Sequence, residues 1–392
     1  MNYKHVYSIT CVSRNSMGQR LVLTSFGESH GSTIGAVLDG CPAGLELAEE
    51  DIQPMLDWRR PGQSVVTTQR MEDDRAEIIS GTYRGRTTGA PITIIIKNSD
   101  QRSVDYDDMQ SRPRPGHSDY TAMIKYGRFN DYRGGGRFSG RLTATHVMGG
   151  AVARKLLKES LDVETCSYVQ QIGCVEMDGQ AGGAAARDGP GSCYDQSLIY
   201  GNESRCPDPG AAESMRKSIL DAKRSGDSLG GVIRSVTTGI PAGLGEPIFG
   251  SLESDLGAAM FSIPSVKGVE FGSGFAGSSI RGSENNDAFY VTEDESGAKR
   301  VATRTNNSGG ILGGISNGMP ITMRVAFKPA SSIPREQSTV NVDTMSKDTL
   351  RVGGRHDPCV VPRAPPVVDS LVSLVVADHA LVSGHIKPVL EK

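Results

Sequence analysis

Residues 27–45 of this chain, GESHGSTIGAVLDGCPAGL, recur in altered form as residues 226–244, GDSLGGVIRSVTTGIPAGL. The two segments align without a gap at an offset of 199, and ten of the 19 positions are identical. A second pair, Gly89-Ala90-Pro91-Ile92-Thr93 and Gly318-Met319-Pro320-Ile321-Thr322, follows in the same order. Chance supplies one short match but hardly two in order. A chain that carries its core unit twice folds into related halves. We place them at about 17–210 and 211–392 of a single domain spanning 17–392, with residues 1–16 an irregular N-terminal extension and Met17 a candidate start.

Each copy has the same local logic. A glycine-flanked turn enters an apolar run (Ile34, Ala36, Leu38; Val232, Ser235, Val236) that reads as a strand. Pro-Ala-Gly then forces a turn, since proline fixes φ and glycine supplies unusual φ. A helix follows, over Glu49–Trp58 with a kink expected at Pro54, and over Leu252–Met260, where Leu252, Leu256 and Met260 share one face. Further helices are predicted at 145–158, 211–225 and 365–382, the last apolar nearly all round and so buried. Strands are predicted at 92–96 and 321–327, and the Gly/Ala-rich segment 178–192 reads as an exposed loop. No βαβα alternation is visible. The fold class is therefore α+β, one compact domain of two repeated halves with helices against mainly antiparallel sheets.

Composition narrows the function. A formal charge of −3 and 5% aromatic residues argue against a dedicated nucleic-acid binder. The seven cysteines form no CxxC pair, so neither a zinc ribbon nor a redox dithiol is indicated, and free thiols fit a reducing cytoplasm. No apolar run reaches the ~20 residues of a spanning helix, so no membrane is expected. No metal motif is present.

The chemistry concentrates in a few stretches. Gly27-Glu28-Ser29-His30-Gly31 has Leu229 where the second copy should repeat His30. The turn does not need histidine, which points His30 toward chemistry. Arg59-Arg60-Pro61-Gly62 offers two guanidinium forks suited to phosphate or carboxylate, although a solvated helix end would read the same way. The densest stretch runs from Arg112-Pro113-Arg114-Pro115-Gly116-His117 to Arg133-Gly134-Gly135-Gly136-Arg137-Phe138-Ser139-Gly140-Arg141. Three glycines let backbone N–H groups approach an anion, and the arginines would repel one another without anions among them. Gly309 to Gly314, Lys328 to Ser332, and Gly353 to Cys359 complete the set. No dinucleotide or P-loop fingerprint occurs. By themselves these features describe an enzyme with a polyanionic ligand and histidines beside it, without naming the reaction.

Taken together and in order, GESHG, RRPGQS, RPGHSDY, GGGRFSGR, SVKGVEFG, GGILGGISNG and GGRHDPCVVPRA closely resemble the chorismate synthase family, from about Gln19 to the C-terminus. Arg137-Phe138-Ser139-Gly140-Arg141 is similar to archaeal-type members. The resemblance implies a β-α-β sandwich with internal pseudo-symmetry, usually a homotetramer. It implies 1,4-anti elimination of phosphate from 5-enolpyruvylshikimate-3-phosphate to give chorismate, with reduced FMN (FMNH2) required and no net redox change.

Carried across by motif, the resemblance makes His30 an acid near the leaving phosphate and His117 a partner of the reduced flavin. Asp357 would lie near flavin N5, which would take the C6 hydrogen, and Ser29 and Ser139 would aid relays or orient groups around the flavin. It assigns FMN contacts to Arg137, Phe138, Ser139, Ser265, Gly313, Lys328, Pro329, Ala330, Ser331, Ser332 and Arg355. It assigns substrate contacts to Arg59, Arg60, Arg133, Arg137 and Arg141.

The chain departs from the family at several positions. Trp58 and Val65 stand where many members have arginines, the latter linked to NADPH use, so an external flavin reductase or NADPH is left open as the source of electrons. Pro264, Phe138 and Asp369 replace a common Asn, Ser and Glu. Two other readings remain at this point: a flavin reductase on the same scaffold, and a non-catalytic binder of phosphorylated ligand or RNA.

Overall fold

The computed structural model describes residues 15–67, 72–98, 109–177, 193–293, 297–353 and 356–390. The first half supplies strands β1 (Ser16–Met17), β2 (Val22–Gly27), β3 (Thr33–Asp39), β4 (Glu77–Ser80), β5 (Thr82–Tyr83), β6 (Arg86–Thr87) and β7 (Ile92–Lys97). With them come helices α1 (Glu49–Arg59), α2 (Asp119–Tyr126) and α3 (Thr143–Leu161). Next along the chain are β8 (Glu164–Ile172), β9 (Val175–Glu176), α4 (Gln196–Tyr200), α5 (Pro209–Arg224), β10 (Gly231–Thr238), α6 (Leu252–Phe261) and β11 (Val266–Phe271). Then follow α7 (Gly282–Asn285), β12 (Phe289–Glu293), β13 (Lys299–Thr303), β14 (Ile311–Leu312), β15 (Ile315–Ser316), β16 (Ile321–Phe327), β17 (Glu336–Asn341), β18 (Ser346–Arg351) and α8 (Pro365–Val382).

Two five-stranded antiparallel sheets, in the orders β1-β2-β3-β7-β4 and β11-β16-β10-β8-β9, enclose a helical layer. In that layer α3 packs against β2 and β3, α8 against β8 and β10, and the two helices against each other. The expected α+β sandwich is what forms. Helix α8 is apolar enough to cross a bilayer by length and composition, but here 89% of it is buried between the sheets. The six described cysteines are free thiols.

The duplication reaches the hydrogen-bonding level. Ile34, Ala36 and Leu38 on β3 are fully buried, and the positions 199 later, Ile233, Ser235 and Thr237, are buried on β10. The inward face of β10 is therefore this set, shifted by one residue from a run starting at Val232. Thr87 Oγ1 donates to Pro42 O at 2.6 Å and accepts from Leu45 N at 3.0 Å. Ser316 Oγ donates to Pro241 O at 2.7 Å and accepts from Leu244 N at 2.9 Å. One hydroxyl thus staples the Pro-Ala-Gly-Leu turn in each half, and Gly44 and Gly243 within those turns share left-handed φ values of 100° and 105°. Matching the sheet orders pairs β2 with β8, β3 with β10, β7 with β16 and β4 with β11. Strands β8 and β9 thus stand in one sheet where β2 and β1 stand in the other.

The helices end close to the predicted bounds, and α1 continues through Pro54. The segment 178–192 lies outside the described residues. The crossing of α3 and α8 depends on Gly150, where a Cβ would stand 2.1 Å from Ser370 Cβ. Gly150 has helical backbone, so the constraint is packing alone. Gly150→Ala is expected to destabilise the fold by about 1–3 kcal/mol, read as a lower urea midpoint at unchanged m. An unaltered midpoint would mean the helices separate at little cost.

Candidate active site

One cleft of about 570 Å³ opens where the two halves meet, between the turns that follow β7 and those that follow β16. Its geometry starts with three consecutive glycines. Gly134, Gly135 and Gly136 have φ of 57°, 84° and 50°, a run of left-handed backbone that side chains would oppose. A Cβ on Gly134 would lie 2.2 Å from His30 Cε1, while one on Gly135 would lie 3.5 Å from His117 Nε2. The turn is thus a thin shelf with one imidazole under each of its first two residues.

The two histidines differ in depth. His117 borders the cleft. His30 is only 4% exposed and lies one layer behind the wall, covered by Gly134. Ser29 beside it is fully buried, and its Oγ has no hydrogen-bond partner among the described residues. Asp131 lies under the influence of His30, with its carboxyl held below the usual range chiefly by the hydrogen bond from Arg133.

His117 is fixed from behind. Its Nδ1 is 2.6 Å from Asp119 Oδ1. Arg114 donates to both oxygens of the same carboxylate, at 2.7 and 2.8 Å, and a third bond reaches Ser332 Oγ at 3.0 Å. Burial alone would raise the Asp119 carboxyl, but the bonds from Arg114 and His117 outweigh it and hold it well below the ordinary range. Across from this pair, Lys328 Nζ donates to Ser331 Oγ at 2.7 Å, and Ser331 Oγ to Gly116 O at 2.7 Å. Burial and the nearby Lys267 hold the Lys328 ammonium below its usual value. An ammonium, two hydroxyls and a glycine turn make a seat for a phosphate. Ser265, at φ 75°, bonds this loop through Lys328 N.

The arginines divide into two sets. Arg59 and Arg141 touch the cleft, yet their forks are turned inward. Arg59 donates to Asp74 Oδ2 at 2.8 Å, Thr143 Oγ1 at 3.0 Å and Gly140 O at 2.7 Å. Arg141 donates to Asp74 Oδ1 and to Asn98 Oδ1 at 3.1 Å. One fully buried carboxylate thus anchors both guanidiniums. Arg137 bonds Ser25 O, Gly27 O and Asn15 Oδ1, so it ties the shelf to β2 and to the segment before β1. Arg363, also on the cleft wall, pairs with Asp357 at 2.5 Å and donates to Arg59 O. Phe138, Phe261, Ile263, Val266 and Phe327 give the same cleft an apolar wall.

Twelve of the residues expected at the site border this cleft: Arg59, His117, Arg137, Phe138, Ser139, Arg141, Ser265, Lys328, Ala330, Ser331, Ser332 and Asp357. His30 and Ser29 sit behind it. Arg60 stands beside Asp57 at the end of α1, and Arg133 pairs with Asp131. Gly313 forms the turn between β14 and β15, and neither it nor Pro329 is on the wall. Arg355 lies outside the described residues. Arg114, Asp119 and Arg363 lie within the quoted motifs without an assigned role, and Asp74 lies outside them; all four are site residues. The first two flank His117 in the sequence, and that spacing is the available signal. Chemically, the cleft can seat a phosphate at one end, cover a planar aromatic group with its apolar wall, and hold protons at His117 and Asp357.

The profile of the family described as chorismate synthase matches residues 21–381. A chorismate synthase of Methanothermobacter thermautotrophicus is 49% identical over 377 residues, 96% of each chain. That of Dehalococcoides mccartyi is 48% identical over 378 residues, 96% of this chain and all of its own. That of Rippkaea orientalis is 48% identical over 367 residues, 94% of this chain and 97% of its own. A solved structure titled as the crystal structure of chorismate synthase superposes with a TM-score of 0.71 at 30% identity, covering 94% of this chain and 93% of that one.

Proposed function

The chain belongs to the chorismate synthase family, and from that premise we propose how its cleft performs the family's reaction. The activity is that of a carbon–oxygen lyase: 1,4-anti elimination of phosphate from 5-enolpyruvylshikimate-3-phosphate, giving chorismate at the last common step of the shikimate pathway toward aromatic amino acids. The C3–O bond to phosphate and the C6–H bond break, and the electrons left at C6 complete the second ring double bond.

The observation that carries the reading is the shared cleft: an anion seat at Lys328, Ser331 and Ser332, an apolar wall, and His117 and Asp357 on one surface. These groups fit reduced FMN, whose phosphate would take the Lys328 seat and whose ring system would lie against Phe138 and Phe327. When bound, the reduced flavin supplies electron density to the substrate's allylic system as phosphate departs. His117 faces the cleft with Nε2, through which it takes up or gives a proton there. Asp357, held in place by Arg363, assists loss of the C6 hydrogen. His30 acts as the acid toward the leaving phosphate across the Gly134 turn, where the missing Cβ lets the ring come close. Arg137, Ser139 and Arg141 orient the substrate's anionic groups, and Arg59 braces Arg141 through Asp74. The roles of Arg60, Arg133, Gly313, Pro329 and Arg355 rest on motif position.

Electrons come from an external flavin reductase. Trp58 stacks on Tyr200 with ring centroids 3.9 Å apart, a packing role that supports reading it as something other than a cofactor contact. A homotetramer in the cytoplasm completes the proposal. Phe129, Phe249 and Phe275 are 96%, 94% and 81% exposed, which supports burial against further copies.

Under anaerobic conditions, protein with dithionite-reduced FMN and 5-enolpyruvylshikimate-3-phosphate is expected to release phosphate through many turnovers without net flavin oxidation. Stoichiometric flavin oxidation would instead favour a reductase, and tight RNA binding without turnover a binding protein.

A further inference from the structure

We propose that Asp119, clamped by Arg114, is a positioning residue that fixes the tautomer of His117, so that the proton stays on Nδ1 and Nε2 alone serves the cleft. Two groups approach Nδ1: Asp119 Oδ1 at 2.6 Å and Arg114 Nη2 at 3.1 Å. A guanidinium is donor-only, so it can bond Nδ1 only if that nitrogen is bare. The carboxylate accepts, so it bonds Nδ1 only if the nitrogen carries hydrogen. The shorter distance belongs to the carboxylate, and an anionic oxygen only 2.6 Å from a bare ring nitrogen would set lone pair against lone pair. The N–H is therefore on Nδ1.

Asp119 does not border the cleft, so it acts through the imidazole. Its carboxylate is 7% exposed and spends both oxygens on Arg114 and His117, which leaves it no freedom to turn away. Arg114 Nη1 holds Ser332 in the phosphate seat. One guanidinium thus sets the distance between the phosphate end of the cleft and the imidazole. A neutral His117 then presents a lone pair at Nε2 beside Gly135, and a protonated one presents a donor whose charge Asp119 balances.

The catalytic part of this inference rests on the proposed function, whereas the tautomer part does not. In protein labelled with ¹⁵N-histidine, His117 is expected to show the Nδ1–H pattern, and Asp119→Asn, whose amide can donate to Nδ1, is expected to shift it to Nε2–H. The same variant is expected to lose about 10²-fold in kcat with KM for the phosphorylated substrate unchanged. An Nε2–H tautomer in the unaltered protein would overturn the assignment, whether or not the variant folds. Asp119→Asn turning over at the unaltered rate would overturn the role. Failure of the unaltered protein to release phosphate would overturn the functional reading and leave the tautomer result standing.

Discussion

His30→Leu is expected to lower turnover by ~10²- to 10⁴-fold, the range a positioned acid or base contributes, while leaving the thermal midpoint nearly in place. The duplicated fold argues for both halves of that outcome. At the twin position Leu229 occupies the same turn, so the backbone accepts leucine there. Leu229 serves the scaffold, since its N–H donates to Pro358 O at 2.8 Å and it bridges Cys359, which pins the segment that carries Asp357. His30 lies instead beneath Gly134, so close that any Cβ there would collide with its ring. The two copies of one turn have thus divided between holding the Asp357 segment and placing an imidazole beneath Gly134. Leucine keeps the volume under the glycine shelf, which alanine would not. Phosphate release and a melting curve on the same sample check the claim. A drop in midpoint of ~10 °C or more would make His30 a structural residue, and turnover at the unaltered rate would remove it from the reaction.

The parts of the fold written in short-range pattern were legible. The Pro-Ala-Gly-Leu turns, the apolar faces of α6 and α8 and the β-branched run of β7 each carry their signal within about ten residues, and all form as the pattern predicts. The kinship of β8 with β2 was not legible. Strand β8 plays the part of β2, but Glu164–Ile172 keeps none of the spelling of Val22–Gly27, because a strand needs only an inward face and tolerates any sequence that supplies it. At the site, the cleft residues of the Gly134–Gly140 turn were legible because a glycine-rich turn brings backbone close to something. Charge alone does not tell what each arginine holds. Arg59 reads as a phosphate contact, yet its partner is Asp74, and nothing local in the chain announces a carboxylate that will be buried between two guanidiniums. Depth was equally hidden: His30 and His117 look alike in sequence, and only the path of Gly134-Gly135 puts one behind the wall and the other on it.

Asp74→Asn is expected to cost about 3–5 kcal/mol, because it removes the shared counter-charge of two buried guanidiniums and leaves Arg141 only Glu72 at 3.8 Å. Arg59 is 1% and Arg141 is 5% exposed, so water cannot replace what the carboxylate supplied. Asparagine keeps the shape and opens no cavity, so the loss reports charge. The pH dependence has a definite sign. Burial by itself would raise the Asp74 carboxyl, but Arg59 and Arg141 outweigh it and hold the folded-state value below the ordinary 3.8. Its contribution is therefore complete above the unfolded carboxyl's range and disappears as pH falls through the depressed folded value. The stability gap between the unaltered protein and Asp74→Asn, measured by urea unfolding, should be constant from pH 7 down to about 5 and shrink in stronger acid. A gap that persists undiminished would mean that asparagine fails for packing reasons. The site should register the same change: with their anchor gone, Arg59 and Arg141 lose their common orientation, and KM for the phosphorylated substrate rises more than kcat falls. Were kcat to fall while KM held, the pair would be acting on the transition state directly, and the bracing role assigned to Arg59 would be wrong.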